Sequence, residues 1–169
     1  MKKILALVLV LAMMIPVAAM AAGEVKMGQV YFAAHGTEAC AILTVAMQDG
    51  VIVGAHIDEI QFVPAEMAVP LANSDADFGK NYPNGVALAS KRVNSDAYSM
   101  VMAMAGSTQN ITISYDAIEA FAIGKTVADL EAAIAGKTSA EMVDAVAGAT
   151  LEDTLGYLTG LLEAAKAAE

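Results

Sequence analysis

One hydroxyl-bearing residue follows a run of small residues near the C-terminal end of the 169-residue chain. Residues 144–150 read Asp-Ala-Val-Ala-Gly-Ala-Thr, and we expect them to lie between a strand and a helix. Gly148 allows a backbone conformation that a side chain would obstruct, and its small neighbours let a large group approach the main chain. Thr150 would then lie at or near a helix N-terminus, where free N–H groups and the helix dipole favour a phosphate. The stretch is therefore a candidate site for a phosphate-bearing group.

The same residues also admit a purely structural interpretation. Thr150 followed by Asp153 has the form of a helix N-cap with an acidic first turn, which needs no cofactor. Glu152 and Asp153 also place two negative charges close to any phosphodiester at this position. The residue types alone leave the helix start and the phosphate site as alternatives.

The spacing of these residues resembles the flavin-attachment motif Asp-x-x-Ser/Thr-Gly-Ala-Thr of the FMN-binding domain family. The resemblance implies that a flavin transferase joins the phosphate of FMN to the hydroxyl of Thr150 as a phosphoester. It also implies that Asp144, Ala147, Gly148 and Ala149 complete the cofactor-binding site. Ala147 departs from the motif, since the family prefers Ser or Thr at that position.

A weaker likeness to this family covers most of residues 36–168. Family members carry a hairpin with an Asp-Gly turn, here residues 44–57, and the segments 73–82 and 88–92 look like those of small secreted members. The resemblance implies a secreted electron carrier rather than a turnover enzyme, since the redox chemistry belongs to the flavin. Its partners would be the flavin transferase and either a redox protein or a quinone-linked membrane donor.

Two other functions remain open at this point. The chain could be a secreted, non-catalytic module that keeps the fold without flavin and binds a ligand or partner near residues 71–92. Ala147 and the acidic residues after Thr150 favour that alternative. FMN could also be bound without a covalent link, in which case denaturation would release it.

The first 21 residues have the layout of a secretory signal peptide. Lys2 and Lys3 form a basic start, residues 4–17 are apolar apart from Pro16, and Ala19-Met20-Ala21 is a small-x-small cleavage site. The apolar run is shorter than the roughly 20 residues that a spanning helix needs. We therefore expect cleavage near Ala21, a domain over residues 22–169 in a secreted or periplasmic location, and no membrane anchor after cleavage.

The charge of the chain excludes some classes of partner. The formal net charge is −10, and removal of Lys2 and Lys3 would leave seven basic and 19 acidic side chains, a net charge of −12. Nucleic-acid backbones and anionic lipid surfaces would repel such a protein. The mature chain is an acidic protein that we expect to face water, salts or cationic partners.

Local patterns predict an α+β fold. Two alternating runs joined by Asp49-Gly50 predict a β-hairpin over about 38–62, the basis of a small antiparallel sheet. Ala41, Leu43, Val45 and Met47 would share one face of its first strand. A long polar connection follows over residues 71–92. Four helices are expected to pack against the sheet. The first is a buried helix over about 96–105, the second runs from about Ser114 to Ile123, the third is opened by a capping box at Thr126 and reaches Ala135, and the last is a long C-terminal helix over Leu151–Ala168. Residues 142–146 are expected to form a short strand.

The other chemically capable residues have simpler interpretations. We expect Cys40 to be a small buried core residue, Lys91-Arg92 to be a surface pair that balances nearby acids, and the oxygen-rich segment Asn73–Asn81 to be a solvated turn rather than a cation site. His35 and His56 stand apart in sequence with no third metal ligand. The aromatic residues Phe78, Tyr82 and Tyr98 are candidates to stack on a flavin ring, and core packing explains Phe78 and Tyr98 equally well.

Overall fold

The computed structural model describes residues 23–37, 39–71, 83–104 and 107–169. The predicted signal peptide, the Asn73–Asn81 segment, Phe78 and Tyr82 lie outside the described residues. In the described part of the chain the strands are β1 Lys26–Phe32, β2 Ala39–Gln48, β3 Val51–Pro64 and β4 Val86–Ser90, with a short 3-10 helix at Ala65–Met67. The α-helices are α1 Ser95–Met104, α2 Ile111–Ala122, α3 Val127–Ile134, α4 Ser139–Ala145 and α5 Thr154–Ala168. The α+β prediction is confirmed.

The four strands form one antiparallel sheet in the order β1-β2-β3-β4. The turn between β2 and β3 has positive φ at both Asp49 (52°) and Gly50 (78°), as a two-residue hairpin loop requires. The predicted hairpin is therefore confirmed. Val53 has no partner in the register, since Met47 pairs with Ile52 and Ala46 with Gly54. This bulge changes which side chains of β3 face the core.

Helix α5 covers the inner face of β1 and β2. Ala41, Leu43, Val45 and Met47 of β2 point into the core, and α5 buries Tyr157, Leu158, Leu161, Ala164 and Ala165 there. The helix approaches the strands so closely that a Cβ on Gly28 would lie 1.9 Å from the Ala164 carbonyl oxygen. The α5–sheet interface is the main body of the core.

Both β4 and α2 lie along the outer edge of β3. Strand β4 pairs with residues 60–64, and the turn after α2 reaches the start of β3, where the Gly124 amide donates to Ile52 (2.8 Å). Between these points the Ile57 amide donates to the Glu119 carboxylate of α2 at 2.7 Å. The edge groups of β3 therefore have partners from two different elements, β4 and α2.

Several predicted element boundaries are wrong. Residues 139–145 form helix α4, not a strand over 142–146, because Thr138 and Glu141 make a capping box that starts a helix. Met142 and Val146, one helical turn apart, are then both buried. Helix α2 begins at Ile111, with Asn110 as its N-cap, and the polar connection contains β4. The capping box at Thr126 is confirmed.

Two expectations about burial are also wrong. Cys40 is exposed, because alternation along β2 turns it away from the face that carries Ala41 and Leu43. Helix α1 has no buried residue, and its methionines Met100 and Met104 are 69% and 83% exposed. The helix lies over the β3–β4 edge rather than inside the core. None of the helices in the described ranges is long and apolar enough to cross a membrane.

Candidate functional site

The motif residues lie on the turn between α4 and α5. Asp144 is exposed near the end of α4, and Ala147 and Gly148 are exposed on the turn itself. Gly148 has φ +95°, a conformation that favours glycine, and a Cβ there would contact Ala117 at 3.4 Å. Ala149 is buried, and its amide donates to the Val146 carbonyl at 3.0 Å. The turn is a tight, glycine-dependent connection whose outer side is open to solvent.

Thr150 is half-buried at the end of this turn. Its amide donates to the buried Ser114 hydroxyl at 3.3 Å, and the two hydroxyl oxygens are 3.5 Å apart. The N-cap of α5 is Asp153, not Thr150, so the helix-cap interpretation of Thr150 is wrong. The start of α5 is held by the Thr154 hydroxyl, which donates to the Leu151 carbonyl at 2.6 Å. The helix dipole acts mainly over the first turn, so it contributes little at Thr150.

A histidine from the other end of the chain meets the start of α5. His35 Nδ1 lies 2.5 Å from a carboxylate oxygen of Asp153, although the two residues are 118 positions apart. Both side chains remain more than one-third exposed. The contact ties the β1–β2 loop to α5, and no local sequence pattern indicates it.

A buried ion pair lies beneath this region. The Lys91 ammonium contacts the Glu59 carboxylate, and the side chains are 2% and 0% exposed. The Tyr157 hydroxyl donates to Glu59 at 2.9 Å, and the Tyr115 hydroxyl lies 3.4 Å from that of Tyr157. The Lys91 ammonium also lies over the Tyr98 ring, 4.6 Å from its centre. Burial, reinforced by Tyr115 and Glu59, raises the pKa of Tyr157, so this phenol stays protonated and donates.

The prediction that Lys91-Arg92 is a surface pair is therefore wrong. Lys91 is buried, and Arg92 is mostly covered between β3 and α2. Arg92 donates to the Ile57 carbonyl (2.8 Å), to Asp116 (2.9 Å) and to Glu119 (2.5 Å). Burial raises the pKa of Glu119, while the Ile57 amide and Arg92 oppose that shift. Both cations join the β3–β4 edge to other elements.

Two concave surfaces share Lys91 and Tyr98. The first, here called the crevice, has a volume of about 70 Å³. Its lining includes His35, Tyr157 and the residues that come directly after Thr150 in the chain, among them Leu151 and Asp153. The second, here the cleft, has about 240 Å³ and lies between β3, β4 and α1. Its lining includes Gln61, Phe62, Pro64, Met67, Ala97 and Val101.

The structure brings some of the sequence candidates together and leaves others apart. Tyr98, a candidate for stacking, borders both the crevice and the cleft. His35 pairs with Asp153, whereas His56 lies 3.9 Å from Glu119, so the two histidines belong to different contacts. Ser114, Glu59 and Tyr157 were not candidates from sequence, because each acts through partners that are distant in the chain.

Comparisons with known proteins add no relative to this description. No protein-family model matches the chain, and neither the curated proteins nor the solved structures include a match to it. The fold and the site define an α+β domain with a glycine turn that presents Thr150 beside a small crevice.

Proposed function

We propose that this protein is a secreted electron-transfer protein that carries FMN through a phosphoester to Thr150. The observation that carries the proposal is the placement of the motif threonine. Thr150 follows the exposed Ala147-Gly148 turn, and its backbone amide donates a hydrogen bond to the Ser114 hydroxyl. Because Thr150 is half-buried and lies between α4 and α5 rather than within either, a transferase would not have to unfold a helix to reach it.

The residues present fit a tethered cofactor rather than an enclosed one. Small side chains at Ala147, Gly148 and Ala149 leave room beside the main chain. The crevice after Thr150, at about 70 Å³, is smaller than a cavity of about 150 Å³ that holds benzene, so it cannot enclose a flavin ring. A covalent link would therefore be needed to retain FMN at this position outside the cell.

FMN, when bound, supplies the capacity to accept and release electrons. The residues of the chain have positioning tasks. Thr150 would hold the phosphate, Ser114 orients the Thr150 backbone, and Gly148 provides the left-handed turn. Asp144 is exposed near the end of α4, where a transferase could contact it. Glu152 and Asp153 oppose a phosphodiester, and salt screens that repulsion because both lie at the surface.

The proposal is tested by the mass of the denatured protein after co-expression with a flavin transferase in a secretory compartment. We expect the mass to rise by one phosphoester-linked FMN, and Thr150→Ala to abolish the increase. Thr159→Ala is the matched control, since it removes an α5 hydroxyl that donates to the Leu155 carbonyl of the same helix. Ala147→Ser restores the hydroxyl that the motif prefers, so it should raise the modified fraction.

An unmodified mass in both the original chain and Ala147→Ser, with a transferase that modifies a control substrate, would contradict the proposal. FMN that appears in native protein and is lost on denaturation would indicate non-covalent binding. The second candidate function is the secreted binding module without flavin. The apolar cleft between β3, β4 and α1 favours that candidate, since it offers a binding surface that does not involve Thr150.

A further inference from the structure

Strand β1 lies at an open edge of the sheet. We propose that this edge pairs with the same edge of a second copy of the chain, antiparallel and about a two-fold axis at Gln29, so that two four-stranded sheets join into one. In the described ranges β1 pairs with β2 alone, and no backbone hydrogen bond from a loop or another element reaches it. The inference does not depend on flavin attachment, since no β1 residue belongs to the 144–150 motif.

Contacts on the opposite side of the sheet fix which backbone groups of β1 point outward. The Ile57 amide donates to Glu119 and the Ile57 carbonyl accepts from Arg92, so both groups of Ile57 point away from β2. Leu43 is the register partner of Ile57. Its own backbone groups therefore point toward β1, because hydrogen-bonded and non-bonded pairs alternate along an antiparallel ladder. Val30 lies opposite Leu43 and takes those bonds.

Every second residue of β1 then faces the open edge. Met27, Gln29 and Tyr31 alternate with Val30, and each presents one N–H and one C=O there. Natural edge strands are commonly blunted by proline, a bulge or charged side chains. Strand β1 contains no proline, pairs with β2 in an unbroken register, and carries Lys26 at its end as its one charge. This edge is therefore able to accept another strand, and it holds no acid that would repel one.

The side chains at the edge make β1 complementary to itself. A two-fold axis at Gln29 pairs this residue with its own copy and pairs Met27 of each chain with Tyr31 of the other. Every outward N–H and C=O of these residues then has a partner. Met27 and Tyr31 are 62% and 70% exposed in the single chain, and a thioether packs favourably against an aromatic ring. The symmetric register thus covers two large exposed side chains with each other.

Helix α5 leaves room for a second copy. Gly28 of β1 lies against the Ala164 backbone, and a Cβ on Gly160 would lie 2.7 Å from a methyl carbon of Leu43 on β2. The axis of α5 therefore lies between the two strands. Since strands are spaced about 4.8 Å apart, α5 lies about 5 Å to one side of the two-fold axis. The two copies of α5 would be about 10 Å apart, which is an ordinary distance between packed helices.

The proposal is tested by sedimentation velocity of the purified protein without FMN over a hundredfold range of concentration. We expect a particle of two chains that dissociates on dilution. Gln29→Lys and Gln29→Glu should each weaken the dimer about tenfold or more, because the axis places two like charges directly opposite each other. An equal mixture of the two variants should restore it. Thr44→Lys is the matched control, since Thr44 is the register partner of Gln29 on β2, one strand away from the edge.

A distance measurement tests the register. Cys40 is the one cysteine of the chain and is exposed, so a nitroxide attached to it reports the separation of two copies by pulsed electron paramagnetic resonance. Ala41 pairs with Phe32, which places Cys40 four residues along the strands from Gln29 and one strand further from the axis. At about 3.4 Å per residue and 4.8 Å per strand, the two Cys40 Cα atoms should be about 30 Å apart.

Several outcomes would overturn the proposal. These are a monomer at every concentration, an assembly larger than a dimer, or a mixture of the Gln29 variants that dimerises no better than either alone. An equal effect of Thr44→Lys would also contradict it, as would a Cys40 distance that differs from the expected one by more than about 10 Å. Since FMN is absent throughout, these results stand apart from the test at Thr150.

Discussion

The buried pair of Lys91 and Glu59 makes a sharp prediction about stability. Lys91→Met removes the cation and leaves the Glu59 carboxylate fully buried, with only the Tyr157 hydroxyl as a described hydrogen-bond partner. Breaking a buried pair from one side typically costs about 3–5 kcal/mol, because the remaining charge is uncompensated. Since domains unfold at a cost of about 5–15 kcal/mol, this single change should remove a large part of the stability.

The double variant Lys91→Met with Glu59→Leu separates the charge effect from packing. It removes both charges and fills their space with apolar atoms, which is often neutral or stabilising. Tyr157 then loses its acceptor, which costs about 1–3 kcal/mol. We therefore expect the double variant to lie within about 2 kcal/mol of the original protein, well above either single variant.

The assay is urea unfolding followed by circular dichroism. With a slope of about 2 kcal/mol per molar, a loss of 3–5 kcal/mol lowers the midpoint by about 1.5–2.5 M. The control is Lys166→Met, which removes an exposed cation from Glu131 and Glu163 and should leave the midpoint unchanged. A midpoint for Lys91→Met within 0.5 M of the original (roughly 1 kcal/mol at this slope), or losses that simply add in the double variant, would refute this reasoning.

Three further predictions concern packing, capping and exposure. Gly28→Ala should cost about 3 kcal/mol or more by thermal unfolding, because its Cβ would meet the α5 backbone, whereas Gly54→Ala meets only a methyl at 3.6 Å and should be nearly neutral. Thr126→Ala should cost about 1 kcal/mol through the lost cap. Hydrogen bonds from the Thr126 side chain and backbone lower the pKa of Asp129 in the folded protein. The Asp129 carboxylate therefore stabilises the fold above its ordinary pKa of 3.8, and this stabilisation is lost as the pH falls through the lower pKa of the folded state. Thr126→Ala should flatten that part of the curve of stability against pH. Cys40 should react fully with a maleimide in native buffer, and protection until urea is added would contradict its exposure.

Features that depend on neighbouring residues could be predicted from the chain itself. The Asp49-Gly50 turn and the Thr126–Asp129 capping box each close within a few residues, so their geometry follows from residue type. The capping box at Thr138 and Glu141 has a comparable local signal, and it overrides the strand-like appearance of residues 142–146. Val143 and Val146 are β-branched, which favours a strand, but the hydrogen bonds of the helix start outweigh that preference here.

The candidate site also has a part that is set by neighbouring residues and a part that is set by distant ones. The 144–150 motif and its glycine turn are readable from sequence, since the chemistry and the spacing are local. The attachment of FMN to Thr150 is a prediction, which the mass of the denatured protein tests.

The sequence by itself determined the α+β class, the hairpin and the helix starts that are set by short-range hydrogen bonds. Only the tertiary structure decided the partners of the polar side chains. Tyr157 meets Glu59 from 98 positions away, and His35 meets Asp153 from 118. The physical reason is that burial changes what a charge requires. From its residue type Lys91 is expected to be a surface cation. It needs a carboxylate partner because β3, β4 and α5 bury it in the folded protein.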